Sequence, residues 1–142
     1  MDDLEAHIEK RTLESFARQK LMTLYGAKIT GIFKGYLEIT VLPHEFLLRT
    51  AGNFHGGVIA ALADSAAGYA ATTLQAEDTS FLTVEFKINF LNQARGEKLI
   101  AKAAVLKNGK TLTVSQANIF TESNGAEKLV ATALVTLIKA NK

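Results

Sequence analysis

Asn53-Phe54-His55-Gly56-Gly57-Val58-Ile59-Ala60-Ala61-Leu62-Ala63-Asp64-Ser65 is the stretch on which the fold turns. It is turn-prone as far as His-Gly-Gly, and then an apolar pattern begins at once. That change predicts a helix over Val58–Leu74. Alanine takes seven of those positions and Gly68 adds another small residue, while exposed-type residues are few: Asp64, Ser65, Thr72 and Thr73. A helix apolar nearly all round is surrounded by other elements, and small side chains let them approach closely. Asp64 is then a carboxylate among residues that read as buried, and a buried charge requires a partner.

Outward from this helix the pattern changes. Residues 3–24 read as one amphipathic helix, with Leu4, Ile8, Phe16, Leu21, Met22 and Leu24 as a broken apolar stripe. Glu14 before Arg18 is its one clear i, i+4 charge pair. Gly26 stops it. Lys28–Phe33 and Tyr36–Leu42 are β-rich runs across Lys34-Gly35, a hairpin closed by Pro43. Residues 44–53 read as a loop or short helical turn. Beyond the central helix all signals are strands. They start from Ser80 onward, Phe81–Phe90 alternating at period two in its second half, and Lys98–Leu106 and Thr111–Phe120 flank Lys107-Asn108-Gly109-Lys110. Asn-Gly predicts a tight hairpin in which both residues take positive φ. Asn124-Gly125 gives a second turn before Leu129–Ile138. The class is α+β, with an antiparallel sheet curled round one helix.

Bulk properties narrow the function. The 142 residues suit one domain, divided as an N-terminal helix over 1–25 and a main body over 26–142. The net charge of +2 comes from scattered lysines, not the clustered basic face that nucleic acid requires. No apolar run approaches a membrane span. The acidic start Met1-Asp2-Asp3-Leu4-Glu5 lacks signal-peptide order, and there is no cysteine; both lead to an expectation of a cytoplasmic protein. His7, His44 and His55 lack the spacing of a helical zinc site, and no metal is expected. What remains is the glycine pair. Bare N–H groups at a helix start, with the helix dipole, favour developing negative charge. A carboxylate two turns along the same helix can attack, or activate water. That combination suits acyl transfer or hydrolysis.

From about residue 30 to the C-terminus the chain resembles the hotdog-fold acyl-CoA thioesterases, in particular the PaaI-like branch named for phenylacetic acid degradation. The resemblance rests on His55-Gly56-Gly57, on Leu62-Ala63-Asp64-Ser65-Ala66, and on Gly68-Tyr69-Ala70-Ala71. Thr83-Val84-Glu85-Phe86-Lys87-Ile88-Asn89 and Lys107-Asn108-Gly109-Lys110-Thr111 extend it. It implies a hotdog fold, a curved antiparallel sheet wrapped round a long central helix (about 56–75). It implies Asp64 as nucleophile or general base, the Gly57 N–H as the donor polarising the thioester carbonyl, and His55 as an orienting residue. Thr83 falls where relatives carry a Ser or Thr that helps position water. Asn53, Phe54, Gly56 and Tyr69 are candidate substrate contacts. Lys107 and Lys110 flank a turn, where they are either solvated or meet a CoA phosphate. Arg49 departs from the pattern, since relatives often carry Asn or Gln there. Beside Asp64 it would weaken a base; elsewhere it could reach a carboxylate or phosphate.

Gly57 and Asp64 lie seven residues apart, roughly 10 Å along a helix. One carbonyl cannot touch both, so a site shared across a two-fold dimer axis is expected, with assembly as a dimer or homotetramer. Coenzyme A belongs to the substrate and no cofactor is expected. The expected acyl group is aromatic (phenylacetyl or benzoyl type) or medium-chain. The rival readings are a hotdog hydratase or dehydratase, and a non-catalytic acyl-CoA-binding module.

Overall fold

A computed structural model describes residues 1–140; Asn141 and Lys142, the end of the expected main body, lie outside the described residues. The elements are α1 (Ala6–Ala17), α2 (Lys20–Tyr25), β1 (Lys28–Phe33), β2 (Tyr36–Val41), a 3-10 turn (Glu45–Leu47), α3 (Gly56–Thr72), β3 (Ser80–Phe90), β4 (Lys98–Asn108), β5 (Leu112–Ser123) and β6 (Ala126–Ala140). Six antiparallel strands form one sheet in the order β1-β2-β4-β5-β6-β3. This is the hotdog architecture.

The sheet curls round α3 because both surfaces permit close approach. Ala63, Ala66, Ala67, Ala70 and Ala71 of α3 are fully buried. Leu37, Ile39 and Val41 of β2 and Ala101 and Ala103 of β4 meet them from the inner face. A buried hydroxyl in this contact is also satisfied: Ser115 Oγ donates to the Ala67 carbonyl at 3.3 Å. At the C-terminal end of α3, Thr73 Oγ1 accepts the Gly35 N–H at 2.8 Å, which ties the β1–β2 hairpin to the helix. Among the described residues, no helix is long and apolar enough to cross a membrane.

The N-terminal segment differs from the expected single helix. It breaks at Gln19, which is extended (φ −77°, ψ 103°). Phe16 and Met22 are both buried, yet six residues on a continuous helix stand about 240° apart. The break lets both face inward. Glu14 also pairs differently, approaching Lys10 at 4.0 Å rather than Arg18.

The two Asn-Gly turns diverge. Asn124 (φ 52°) and Gly125 (φ 78°) both take the left-handed region expected of a tight hairpin. Asn108-Gly109 does not, and the hairpin there is wider, next to a bulge between Val105 and Lys107. Gly109 serves close approach instead. A Cβ there would lie 2.4 Å from the Leu112 carbonyl oxygen, which accepts the Gly109 N–H.

Candidate active site

His55 opens α3 as its N-cap. Its extended backbone (φ −64°, ψ 138°) turns the side chain back over the helix start, where Nδ1 accepts the Gly57 N–H at 2.9 Å. An accepting Nδ1 carries no proton, so the imidazole proton sits on Nε2 as an outward donor. The His55 carbonyl accepts from Val58 and Ile59. The Gly57 N–H, expected as the carbonyl-polarising donor, is therefore already spent on His55. The first N–H of the helix, that of Gly56, has no acceptor among the described residues, and Gly56 lines a cleft.

Asp64 lies two turns further along and is half-buried. Thr83 Oγ1 donates to Asp64 Oδ1 at 2.6 Å. Thr83 reaches the helix because β3 is bulged between Thr83 and Glu85 in its pairing with β6. A bulge re-aims a side chain without ending the strand. With Oδ1 held, Asp64 lines a cavity of about 210 Å³ together with Thr83, Ser65 and Tyr69.

The helix-start cleft is separate. It has a volume of about 460 Å³ and is lined by Arg49, Asn53, Phe54, Gly56, Phe90 and Asn92 among others. Arg49, Asn53, Phe54 and Gly56 thus meet at one end of α3, while Asp64, Thr83 and Tyr69 meet further along it. Arg49 is not beside Asp64 in the same chain. Phe54 is almost wholly buried, so it forms the floor of its cleft rather than a free wall. Lys107 and Lys110 are exposed on the β4–β5 hairpin and line neither cleft. No cluster of three metal-ligating side chains occurs among the described residues. On the outer sheet face, Tyr36 is raised above the usual tyrosine range by burial, then by its hydrogen bond to Glu38 and the charges of Glu38 and Glu127. It lines neither cleft.

Sequence reasoning missed Arg95. Its Nε donates to Asn53 Oδ1 at 3.2 Å and its Nη2 to the Ala51 carbonyl. The guanidinium lies over Gly52, whose φ of +91° makes the turn possible. Arg95 thereby fixes the loop that delivers His55 and Gly56. Forty-two residues separate it from Asn53, and no local signal joins them.

These features fall within a known family. Residues 51–128 match the profile described as Thioesterase superfamily, so the chain belongs to that superfamily and is a hydrolase of it. The fold is that of its PaaI-like members. A thioesterase family protein from Silicibacter pomeroyi is 38% identical, covers 95% of this chain and 99% of its own, and superimposes with a TM-score of 0.91. A thioesterase from Haemophilus influenzae is 26% identical with a TM-score of 0.81, covering 91% and 90%. The Escherichia coli PaaI protein from the phenylacetic acid degradation operon shares the fold at 21% identity and a TM-score of 0.84, covering 96% of each chain.

Loss of the Arg95 clamp is expected to blunt thioester hydrolysis without unfolding the chain. Arg95→Ala should lower kcat/KM about tenfold, because a small misplacement of a positioning loop is costly. Arg95→Lys, which keeps one donor, should recover part of that. Steady-state kinetics on the two variants, with melting curves alongside, checks it.

Proposed function

We propose that the chain hydrolyses acyl-CoA thioesters to the free acid and CoA. The observation that carries this reading is the Thr83–Asp64 hydrogen bond. It pins one carboxylate oxygen of a residue that lines a cavity, and leaves the second oxygen free to hold a water molecule as a base does. Water loses a proton to Asp64 as its oxygen bonds to the acyl carbon, and the CoA thiolate then leaves and is protonated. Direct attack by Asp64, through an anhydride that water opens, uses the same geometry. Charge developing on the carbonyl oxygen falls to the unpaired Gly56 N–H at the positive end of α3. This moves the polarising role from Gly57 to Gly56, with the Gly57 N–H instead holding the His55 ring. Arg49 and the Asn53 amide, at the mouth of the same cleft, suit a CoA phosphate.

Gly56 and Asp64 stand about 12 Å apart along one helix, so the reading requires two copies of the chain. β3 supplies the contact. It is an edge strand, bonded among the described residues only to β6, and Leu82 (60%), Val84 (54%) and Phe90 (54%) are exposed along it. A long apolar edge is a template for pairing. Thr83 of β3 lies at the Asp64 cavity and Phe90 at the helix-start cleft. Antiparallel pairing of two β3 strands centred near Phe86 and Lys87 brings each cavity against the cleft of the second copy. Two equivalent sites follow from that isologous contact.

The test is thiol release over short, medium-chain, long-chain and aromatic acyl-CoAs. Turnover on at least one series, with free acid as the co-product, is the expected result. Hydration of an enoyl-CoA without thiol release, or binding without any turnover, would sink the proposal. Aromatic and medium-chain esters remain the first to try, since Tyr69 and Phe81 border the cavity.

A further inference from the structure

The Asp64 cavity has a wall that the central helix and sheet do not provide. Ser15 of α1 and Gln19, at the break before α2, close its far side, facing Tyr69 on α3. Ser15 Oγ and Tyr69 Oη are 3.3 Å apart, a long hydroxyl pair with hydrogen-bonding capacity to spare. The Gln19 amide makes no hydrogen bond among the described residues. Thr79 and Ser80 add hydroxyls to the rim, and the apolar lining is limited to Phe81 and Leu137 beside the Tyr69 ring. Gly68 leaves the floor open, since a Cβ there would meet nothing within 4 Å.

The wall is fastened. Arg11 donates to the carbonyls of Ala76 (3.0 Å) and Thr72 (3.3 Å) and to that of Gln75. These carbonyls lie at and just past the C-terminal end of α3, where a cation is favoured; that of Thr72 also accepts the Gln75 N–H at 3.2 Å. The Phe16 ring meets Tyr69 edge-on at 5.6 Å. α1 is thus held to α3 by a charged fork and an aromatic contact, and its polar residues have a fixed place over the cavity. Residues 6–17 also lie outside the 51–128 segment that defines the family.

We propose that α1 is the specificity wall of this thioesterase. Ser15 and Gln19, with Tyr69, select acyl groups that carry a hydrogen-bonding atom away from the thioester, and Arg11 is the positioning residue that holds the wall. The proposal rests on the hydrolase reading above and names the substrate class for it. The physical reason is asymmetric. A plain alkyl tail would strip water from the hydroxyls and the amide and give nothing in return, whereas a hydroxylated or oxo-bearing tail replaces that water.

The experiment compares matched thioesters: butyryl-CoA with 3-hydroxybutyryl-CoA, and hexanoyl-CoA with 6-hydroxyhexanoyl-CoA. In the wild type the hydroxylated partner should be favoured about tenfold in kcat/KM at one of the two lengths, the value of one well-made hydrogen bond. In the double variant Ser15→Ala with Gln19→Ala the ratio should fall to near one. Arg11→Ala should move the ratio part of the way, because the wall residues remain but lose their anchor. The same ratios measured as equilibrium affinities on Asp64→Asn protein give a readout independent of turnover, and melting curves monitor folding. A wild-type ratio of one or below, or a ratio unchanged in the double variant, overturns the inference while leaving the hydrolase reading standing. Absence of thiol release from every ester tested overturns both.

Discussion

Replacing Asp64 with asparagine is expected to lower kcat about a thousandfold, with KM changed by no more than about threefold. Positioned general bases contribute on the order of 10²–10⁴ in rate. The variant is clean because an asparagine carbonyl can still accept from Thr83 Oγ1, so the 2.6 Å contact has a chemical successor. What is lost is the carboxylate's ability to take a proton or to attack. The ground-state contacts of the acyl group, made by the cavity walls, should survive. A large fall in kcat with binding retained is the signature of an interaction made only in the transition state. Thiol-release kinetics, with acyl-CoA affinity measured on the same variant, checks it. A loss below about fivefold would remove Asp64 from the chemistry and leave the Thr83 contact as structural.

Much of the fold was legible in the sequence because its strongest signals are local. The alanine-rich run after His55-Gly56-Gly57 read as a surrounded helix, and Val58, Ile59, Leu62 and five alanines of α3 are buried. The β1–β2 hairpin read correctly from β-branched residues either side of Lys34-Gly35, and Gly35 takes φ +75°. Where the reading failed, a tertiary contact outweighed a local preference. The break at Gln19 follows from burying both Phe16 and Met22, and the widened Asn108-Gly109 turn sits beside a bulge. The site divided in the same way. His55, Gly56, Asp64 and Thr83 stand in motifs, but the spending of the Gly57 N–H on His55 Nδ1 depends on a rotamer that no spacing encodes. Arg95, Ser15 and Arg11 make their contacts across 42 to 65 residues of chain, and Gln19 joins its cavity from a separate element. They occupy ordinary positions in amphipathic or loop sequence, so nothing local distinguishes them.

Gly56→Pro is expected to abolish most activity while leaving the fold intact, and it opens a decisive test of the shared site. Gly56 is the first residue of α3, where proline is well tolerated because the N–H has no intrahelical partner. His55 before it already has the extended backbone that proline imposes on its predecessor. A Cβ at Gly56 would meet only the Phe90 ring edge, at 3.4 Å. The substitution therefore removes one N–H and little else. Losing a single preorganised donor costs about 10²–10³ in kcat. Gly57→Ala makes a contrasting variant: it keeps both N–H groups but places a Cβ 3.1 Å from His55 Nδ1, so it disturbs the cap rather than the donor. The Gly56→Pro chain has a sound Asp64, and the Asp64→Asn chain has a sound Gly56. After subunit exchange in equal amounts, half the dimers are mixed. If each site takes Gly56 from one copy and Asp64 from the other, every mixed dimer regains one of its two sites, and the mixture should recover about a quarter of wild-type activity. A site built within one chain would recover none. The readout is thiol release before and after exchange, with exchange followed by native mass spectrometry. An inactive mixture containing verified heterodimers would dismantle the trans site, and with it the role of the β3 edge in catalysis.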